Sequence, residues 1–263
     1  MKRFGIFSMM AAIMLVMAAC GAEKGDSSTE STDTSTGDAE KTYIVGIDTT
    51  YPPFEFEVDG EYTGIDIDLI TAIAANQGIE IKFDAMDFGG IIPAMQADQL
   101  DIAIAGMSIT DDRKKVVNFS DPYFEAGLTL VIAAETTDIE SIEDLKGKTI
   151  AAKNGTTGAK FAQEHEAEYG YKLVLFDDSP AMFQEVSNGN AVALIEDYPV
   201  ISYAISQNDL DLQIIGERLN GDQYGIAVLK GKNSDVLQKI NDGLQDLRDS
   251  GEYDKILSKY LAE

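Results

Sequence analysis

Along the chain, short apolar runs of strand length alternate with longer stretches whose apolar residues fall on one helical face. Tyr43 to Asp48 has a buried-strand pattern, and Thr49-Thr-Tyr51-Pro-Pro-Phe54 is a rigid turn because consecutive prolines fix the backbone. Asp59-Gly60, within Glu55 to Thr63, is a hairpin turn. Ile67, Ile70, Ile73 and Ala74 line one face of an amphipathic helix from Gly64 to Gln77 that Gly78 closes. Ile79 to Phe83 alternates as a strand. Phe88-Gly-Gly-Ile-Ile-Pro93 opens a helix with Pro93 in its first turn, and Ile102 to Ala105 is a further apolar strand.

An extended run, Glu125 to Ile132, leaves this first series. A second series follows, with strands at Thr149 to Ala152, Leu173 to Phe176, Ala191 to Ile195 and Gln213 to Ile215. Helices lie between them: one from the polar loop at Lys153 to Tyr169, one that Ser179 caps and that reaches Asn188, and one after Glu196-Asp197-Tyr-Pro199. Gln223 to Val228 crosses back, and helices at Val236 to Leu247 and Tyr253 to Leu261 pack on the first series. Repeated strand–helix alternation predicts largely parallel sheets covered by helices. The two crossings divide the chain into one lobe of residues 41–127 and 224–263 and another of 128–223, and no internal sequence repeat relates them. Gly127 and Gly221 sit where a rotation between lobes would be absorbed.

The first forty residues have a different character. Met1-Lys-Arg3 and the apolar stretch Phe4 to Ala19 form a secretory signal (1–19), too short for a membrane span. Met17-Ala-Ala-Cys20-Gly21 resembles a lipoprotein cleavage box, although that pattern prefers Leu where Met17 stands. On this reading Cys20 carries lipid and anchors the protein to the outer face of the bacterial cell membrane. Ser, Thr, Gly, Asp and Glu dominate the rest of 20–40, a disordered tether.

The net charge of −26 argues against nucleic acid as a partner. One cysteine permits no internal disulfide, no Cys/His cluster exists for a metal, and the lone His165 sits in a charged helical run as a solvated surface residue.

The most informative stretch is Gly106-Met-Ser108-Ile-Thr110-Asp-Asp-Arg113, followed by Phe119-Ser-Asp-Pro-Tyr123. The strand ends at Ala105 and Gly106, Ser108 and Thr110 bring hydroxyls, and Thr110-Asp-Asp reads as a helix start that places Arg113 about one turn in. Such a group is either a socket for a small carboxylate or a capped helix with a solvated Arg113. These motifs resemble those of the polar amino-acid-binding proteins of bacterial ABC importers (solute-binding family 3), most of all the glutamine-binding members. The resemblance runs from Tyr43 to the C-terminus. It implies an α/β, two-lobed, periplasmic-binding-protein-like fold of type II, each lobe a mostly parallel sheet flanked by helices, with the ligand in the interlobe cleft.

It also implies roles for particular residues. Arg113 binds the α-carboxylate, aided by backbone near Ser108 and Thr157. The Ala105–Gly106 strand end, the Ser108 hydroxyl and Asp197 receive the α-ammonium. Tyr51 and Phe88 clamp the side-chain stem, and Asp48 and Lys153 read an amide at its end. Glu196 stands where the glutamine-binding relatives carry histidine. Glutamine ranks first because a neutral amide uses both Asp48 and Lys153; arginine and lysine stay open because of Glu196. The implied partners are a polar amino acid and a membrane ABC permease, with a monomer expected and no cofactor. An amino-acid sensor, or an enzyme similar to the cyclohexadienyl dehydratases that share the fold, is the alternative.

Overall fold

The computed structural model describes residues 41–208 and 210–261. The expected signal segment, Cys20 and the tether lie outside the described residues. The chain begins with β1 (Thr42–Ile47), β2 (Thr50–Tyr51), β3 (Glu55–Val58), β4 (Glu61–Thr63), α1 (Ile65–Gln77), β5 (Glu80–Ala85), α2 (Phe88–Gln96), β6 (Ile102–Ala103), β7 (Val117–Phe119) and β8 (Phe124–Glu125). It continues with β9 (Leu128–Ala133), β10 (Thr149–Lys153), α3 (Thr157–Tyr169), β11 (Lys172–Phe176), α4 (Ser179–Ser187), β12 (Ala193–Asp197), α5 (Tyr198–Asn208) and β13 (Leu212–Ile215). Last come β14 (Gln223–Tyr224), β15 (Ala227–Leu229), α6 (Ser234–Ser250) and α7 (Glu252–Ser258).

Two five-stranded sheets result, ordered β5-β1-β6-β15-β7 and β11-β10-β12-β9-β13. In the first, β1 runs parallel to β5 and β6, whereas β15 is antiparallel to β6 and β7. In the second, β10 is parallel to β11 and β12, whereas β9 is antiparallel to β12 and β13. Each sheet is mixed, with four strands running one way and one reversed, in keeping with the mostly parallel sheets expected. The reversed strand is β9 or β15, by which the chain enters that lobe. These strands arrive from the crossing and not through the helix that a parallel partner requires.

The apolar face read from the sequence packs as expected. Ile67, Ile70 and Ile73 of α1 are buried against one core with Val45, Ile47 and Ile102, and α6 adds Val236, Ile240 and Leu244. A second core gathers Leu130, Ile150, Ile195 and Ala162 in the other lobe.

Two local expectations change. No regular helix starts at Thr110; Arg113–Lys115 is a single 3-10 turn. The capping chemistry is present, since the Thr110 hydroxyl accepts from the Arg113 N–H at 3.2 Å. The turn stops because Val116 and Val117 are β-branched and Val117 opens β7. On α4 the cap is Asp178, which accepts from the Ala181 N–H at 2.7 Å, while Ser179 is the first helical residue.

The two crossings touch. β8 and β14 pair antiparallel, Phe124 opposite Tyr224 and Glu125 opposite Gln223. Gly127 follows with φ 100°, and a Cβ there would lie 2.7 Å from the Asn220 carbonyl oxygen on the other crossing. Only glycine meets both demands.

Candidate functional site

The ends of β1, β6, β10 and β12 bring their following loops to one cleft, as strand ends do in open α/β sheets. Tyr51, Phe88, Gly106, Ser108 and Arg113 line it from one side; Lys153, Thr156, Thr157 and Asp197 line it from the other. Eight of the eleven binding residues named from the sequence thus share one cleft. Ala105, Asp48 and Glu196 stand behind the lining.

Arg113 donates from Nη1 to the Ser108 carbonyl at 2.8 Å and from Nη2 to the Gly155 carbonyl at 3.1 Å, one partner on each side of the cleft. Its guanidinium carbon lies 5.1 Å from the centre of the Phe88 ring. Burial lowers its pKa while Asp197 and Asp222 act the other way, and a guanidinium stays charged in proteins. The sequence reading placed Arg113 on a helix; the 3-10 turn holds it instead.

Gly106 has φ 52°, and a Cβ would come 2.7 Å from the Tyr51 ring. The Tyr51 hydroxyl reaches across the cleft and donates to Asp197 Oδ2 (2.8 Å) or Glu196 Oε1 (3.0 Å). Tyr224 also donates to Asp197 Oδ2, at 2.5 Å. The other oxygen, Asp197 Oδ1, is buried with no hydrogen-bond partner among the described residues. Burial raises the Asp197 pKa, against the two tyrosine hydrogen bonds.

Glu196 stands behind the lining and meets the cleft through the Tyr51 hydroxyl. Its Oε2 accepts from the Ser179 hydroxyl at 3.0 Å and its Oε1 from the Asp197 N–H at 2.8 Å. Burial, then the charge of Asp197, pushes its pKa up to about 7. Lys153 forms a buried ion pair with Asp48 across the cleft, donates to the Thr50 hydroxyl at 3.2 Å and lies 4.8 Å from the centre of the Tyr51 ring. Asp48 also accepts from the Thr50 N–H and hydroxyl, at 2.9 and 2.7 Å. Asp48 therefore meets the cleft only through Lys153.

Thr157 opens α3, so the helix N-terminus faces the cleft, where it favours negative charge. Its hydroxyl is 3.5 Å from that of Ser108 on the opposite side. Thr156 caps α3 by accepting from the Ala159 N–H at 3.1 Å. Sequence reasoning missed Thr156 and Tyr224. The first sits beside a named residue in a Thr-Thr-Gly loop that any cap search flags; the second carries no local signal.

His165 lies away from the cleft on α3. It is partly buried rather than freely solvated, its ring stacked 4.3 Å from Phe161 and 5.9 Å from Tyr169. Among the described residues no cluster of histidine, cysteine or acidic side chains is arranged to hold a metal, and no helix is long and apolar enough to cross a membrane.

Residues 43–263 match the family of bacterial extracellular solute-binding proteins, family 3. The chain belongs to this family. The family 3 protein is 30% identical to the arginine-binding extracellular protein ArtP of Bacillus subtilis, over 99% of this chain and 98% of ArtP. Its fold is the two-lobed type II periplasmic-binding-protein fold. An ancestral arginine-binding protein bound to arginine superposes with a TM-score of 0.79 at 43% identity, over 84% of this chain and 98% of that one. A structure of an ancestral arginine-binding protein bound to glutamine, also 43% identical with the same coverage, gives 0.78.

Proposed function

We propose that this solute-binding protein takes up a free amino acid between its lobes and presents it to an ABC-type importer in the membrane. One observation carries the reading: the same cleft holds a guanidinium, Arg113, on one side and a buried carboxylate oxygen with no donor, Asp197 Oδ1, on the other. A zwitterion answers both, its carboxylate to Arg113 through two parallel hydrogen bonds and its ammonium to Asp197. Neither side suffices alone, so the ligand draws the lobes together. The relatives, named as binding proteins and not as enzymes, support this reading over a dehydratase.

For the side chain, we place arginine ahead of glutamine, reversing the order drawn from sequence. The sequence-based objection to arginine was repulsion by Lys153. Lys153 is paired with Asp48, so its charge is largely answered. Near that end stand two buried carboxyls, Asp48 and Glu196, against one ammonium, an excess of negative charge whenever Glu196 ionises. Arginine-binding relatives support the same order. Glutamine is the second reading, favoured by the glutamine-bound ancestral structure and by the ability of Lys153 to donate to an amide oxygen.

Calorimetric titration of refolded, ligand-free protein with arginine, lysine, glutamine and glutamate tests this. We expect arginine to bind about tenfold or more tighter than glutamine, the discrimination one buried charge contact supplies. The reverse order returns the site to glutamine, and heat from none of the twenty amino acids sinks the binding reading itself. Association with a permease in detergent distinguishes transport from sensing. Lipidation of Cys20 belongs to the same proposal: Cys20→Ser is expected to move the protein from the detergent phase to the aqueous phase with its ligand affinity unchanged.

A further inference from the structure

Behind the cleft lies a second pair of carboxyls that the zwitterion contacts do not use. Glu55, at the start of β3, and Asp66, in the first turn of α1, are both fully buried. The Asp66 N–H donates to the Phe54 carbonyl at 2.8 Å, which sets the two residues side by side. Asp66 Oδ2 accepts from the Gly106 N–H at 2.8 Å and from the Tyr123 hydroxyl at 2.9 Å. Both Glu55 oxygens and Asp66 Oδ1 are buried with no hydrogen-bond partner among the described residues.

Two carboxylates buried side by side without solvent do not both ionise; one proton between them turns repulsion into a hydrogen bond. The donors decide where it sits. Asp66 already receives two, which favour its charged form, whereas Glu55 receives none. We propose that Glu55 is a neutral acid that donates to Asp66, and that this pair is a positioning device for Gly106 in the ligand cleft.

The connection to the cleft is one peptide long. The Gly106 N–H is fixed on Asp66, and in a trans peptide the preceding carbonyl, that of Ala105, must then face the opposite way. The strand end that lines the cleft is thereby held in one orientation. The charged groups around the pair agree: Asp48, after β1, opposes ionisation of Glu55, and Lys153 on β10 favours it less strongly than burial and Asp66 oppose it. Burial holds Glu55 well above the usual carboxylate range and raises Asp66 to about 6. The pair thus keeps one proton above the pH at which a free carboxyl loses its own.

Infrared spectroscopy and binding test this separately. In a Glu196→Gln background, which removes the other buried glutamate, we expect a protonated-acid carbonyl band at neutral pH. The band should shift with isotope-labelled glutamate and vanish on adding Glu55→Gln. Absence of the band, or its survival in Glu55→Gln, overturns the shared proton. The labelled chain with Glu55 intact decides this even where a variant does not fold.

The binding arm rests on the amino-acid reading above. Glu55→Ala should weaken arginine binding about tenfold, because it leaves a buried acceptor unpaired. Glu55→Gln, a neutral donor of the same shape, should restore affinity to within about threefold. Binding by Glu55→Gln no better than by Glu55→Ala overturns the positioning role. A wild-type chain that binds no amino acid defeats the function reading and leaves the infrared result to judge the proton.

Discussion

Asp197 places both its tyrosine partners on one oxygen and leaves the other bare, while Arg113 rests on two backbone carbonyls that an anion can displace. Arg113→Ala is expected to weaken binding of every amino acid by about 2–5 kcal/mol, the cost of removing one partner of a desolvated charge pair; calorimetry with arginine and glutamine measures it. Glu196 gives a stability signature. Its pKa rises from 4.5 to about 7 on folding, so the folded state holds its proton more tightly than the unfolded one. Stability from this group is full below the unfolded value and declines as pH rises through about 7. Denaturant midpoints of ligand-free protein should fall across that window, and less steeply in Glu196→Gln. At this scale the sequence was most readable where chemistry is contiguous. Gly106, Ser108 and Arg113 fall within eight residues, so spacing marked them as a candidate socket and the family resemblance gave them their roles. Tyr224 joins Asp197 from 27 residues away and Asp66 reaches Gly106 from 40, and nothing local marks either.

Among the elements, α3 joins stability to function through its first turn. Thr156 accepts from the Ala159 N–H and donates to the Lys153 carbonyl at 2.7 Å, so one hydroxyl holds both the helix start and the backbone of the cleft lysine. Thr156→Ala should cost about 1 kcal/mol of folding stability, read as a lower midpoint in urea, and should also weaken ligand binding. A loss of stability with untouched affinity would show that the cap serves the helix alone. Helix and strand positions were largely legible because periodicity is a property of neighbouring residues. The reversed direction of β9 and β15 was not. The apolar patterns of β9 and β15 are those of any buried strand, and only their entry from a crossing makes them antiparallel. The 3-10 turn at Arg113 was hidden for a related reason: the cap signal was real, but the β-branched pair after it ended the helix.

Over the whole molecule, several contacts across the cleft are ionic or polar: Lys153 with Asp48, Lys160 with Asp112, and Tyr51 with Glu196 and Asp197. Polar contacts of this kind exchange readily with water, so the apo protein is expected to open. Small-angle scattering should show a smaller radius of gyration at saturating arginine than in verified ligand-free protein; equal radii would count against closure by the ligand. The overall plan was legible because one short motif resembles a known family, not because the lobes announce themselves in composition.

The ribbon formed by β8 and β14 adds a mechanical constraint to that motion. Two independent linkers would let the lobes twist and slide as well as clap. Two linkers hydrogen-bonded to each other, with Gly127 pressed against Asn220, behave as a door hinge with a single pin. Such a joint has one swing, and a dye on Asp112 with its partner on Lys160, at the free edges of the two doors, should flicker between two brightness levels. On the closure proposed above, the protein would work as a one-bit recorder of its ligand, its output the fraction of time the door is shut.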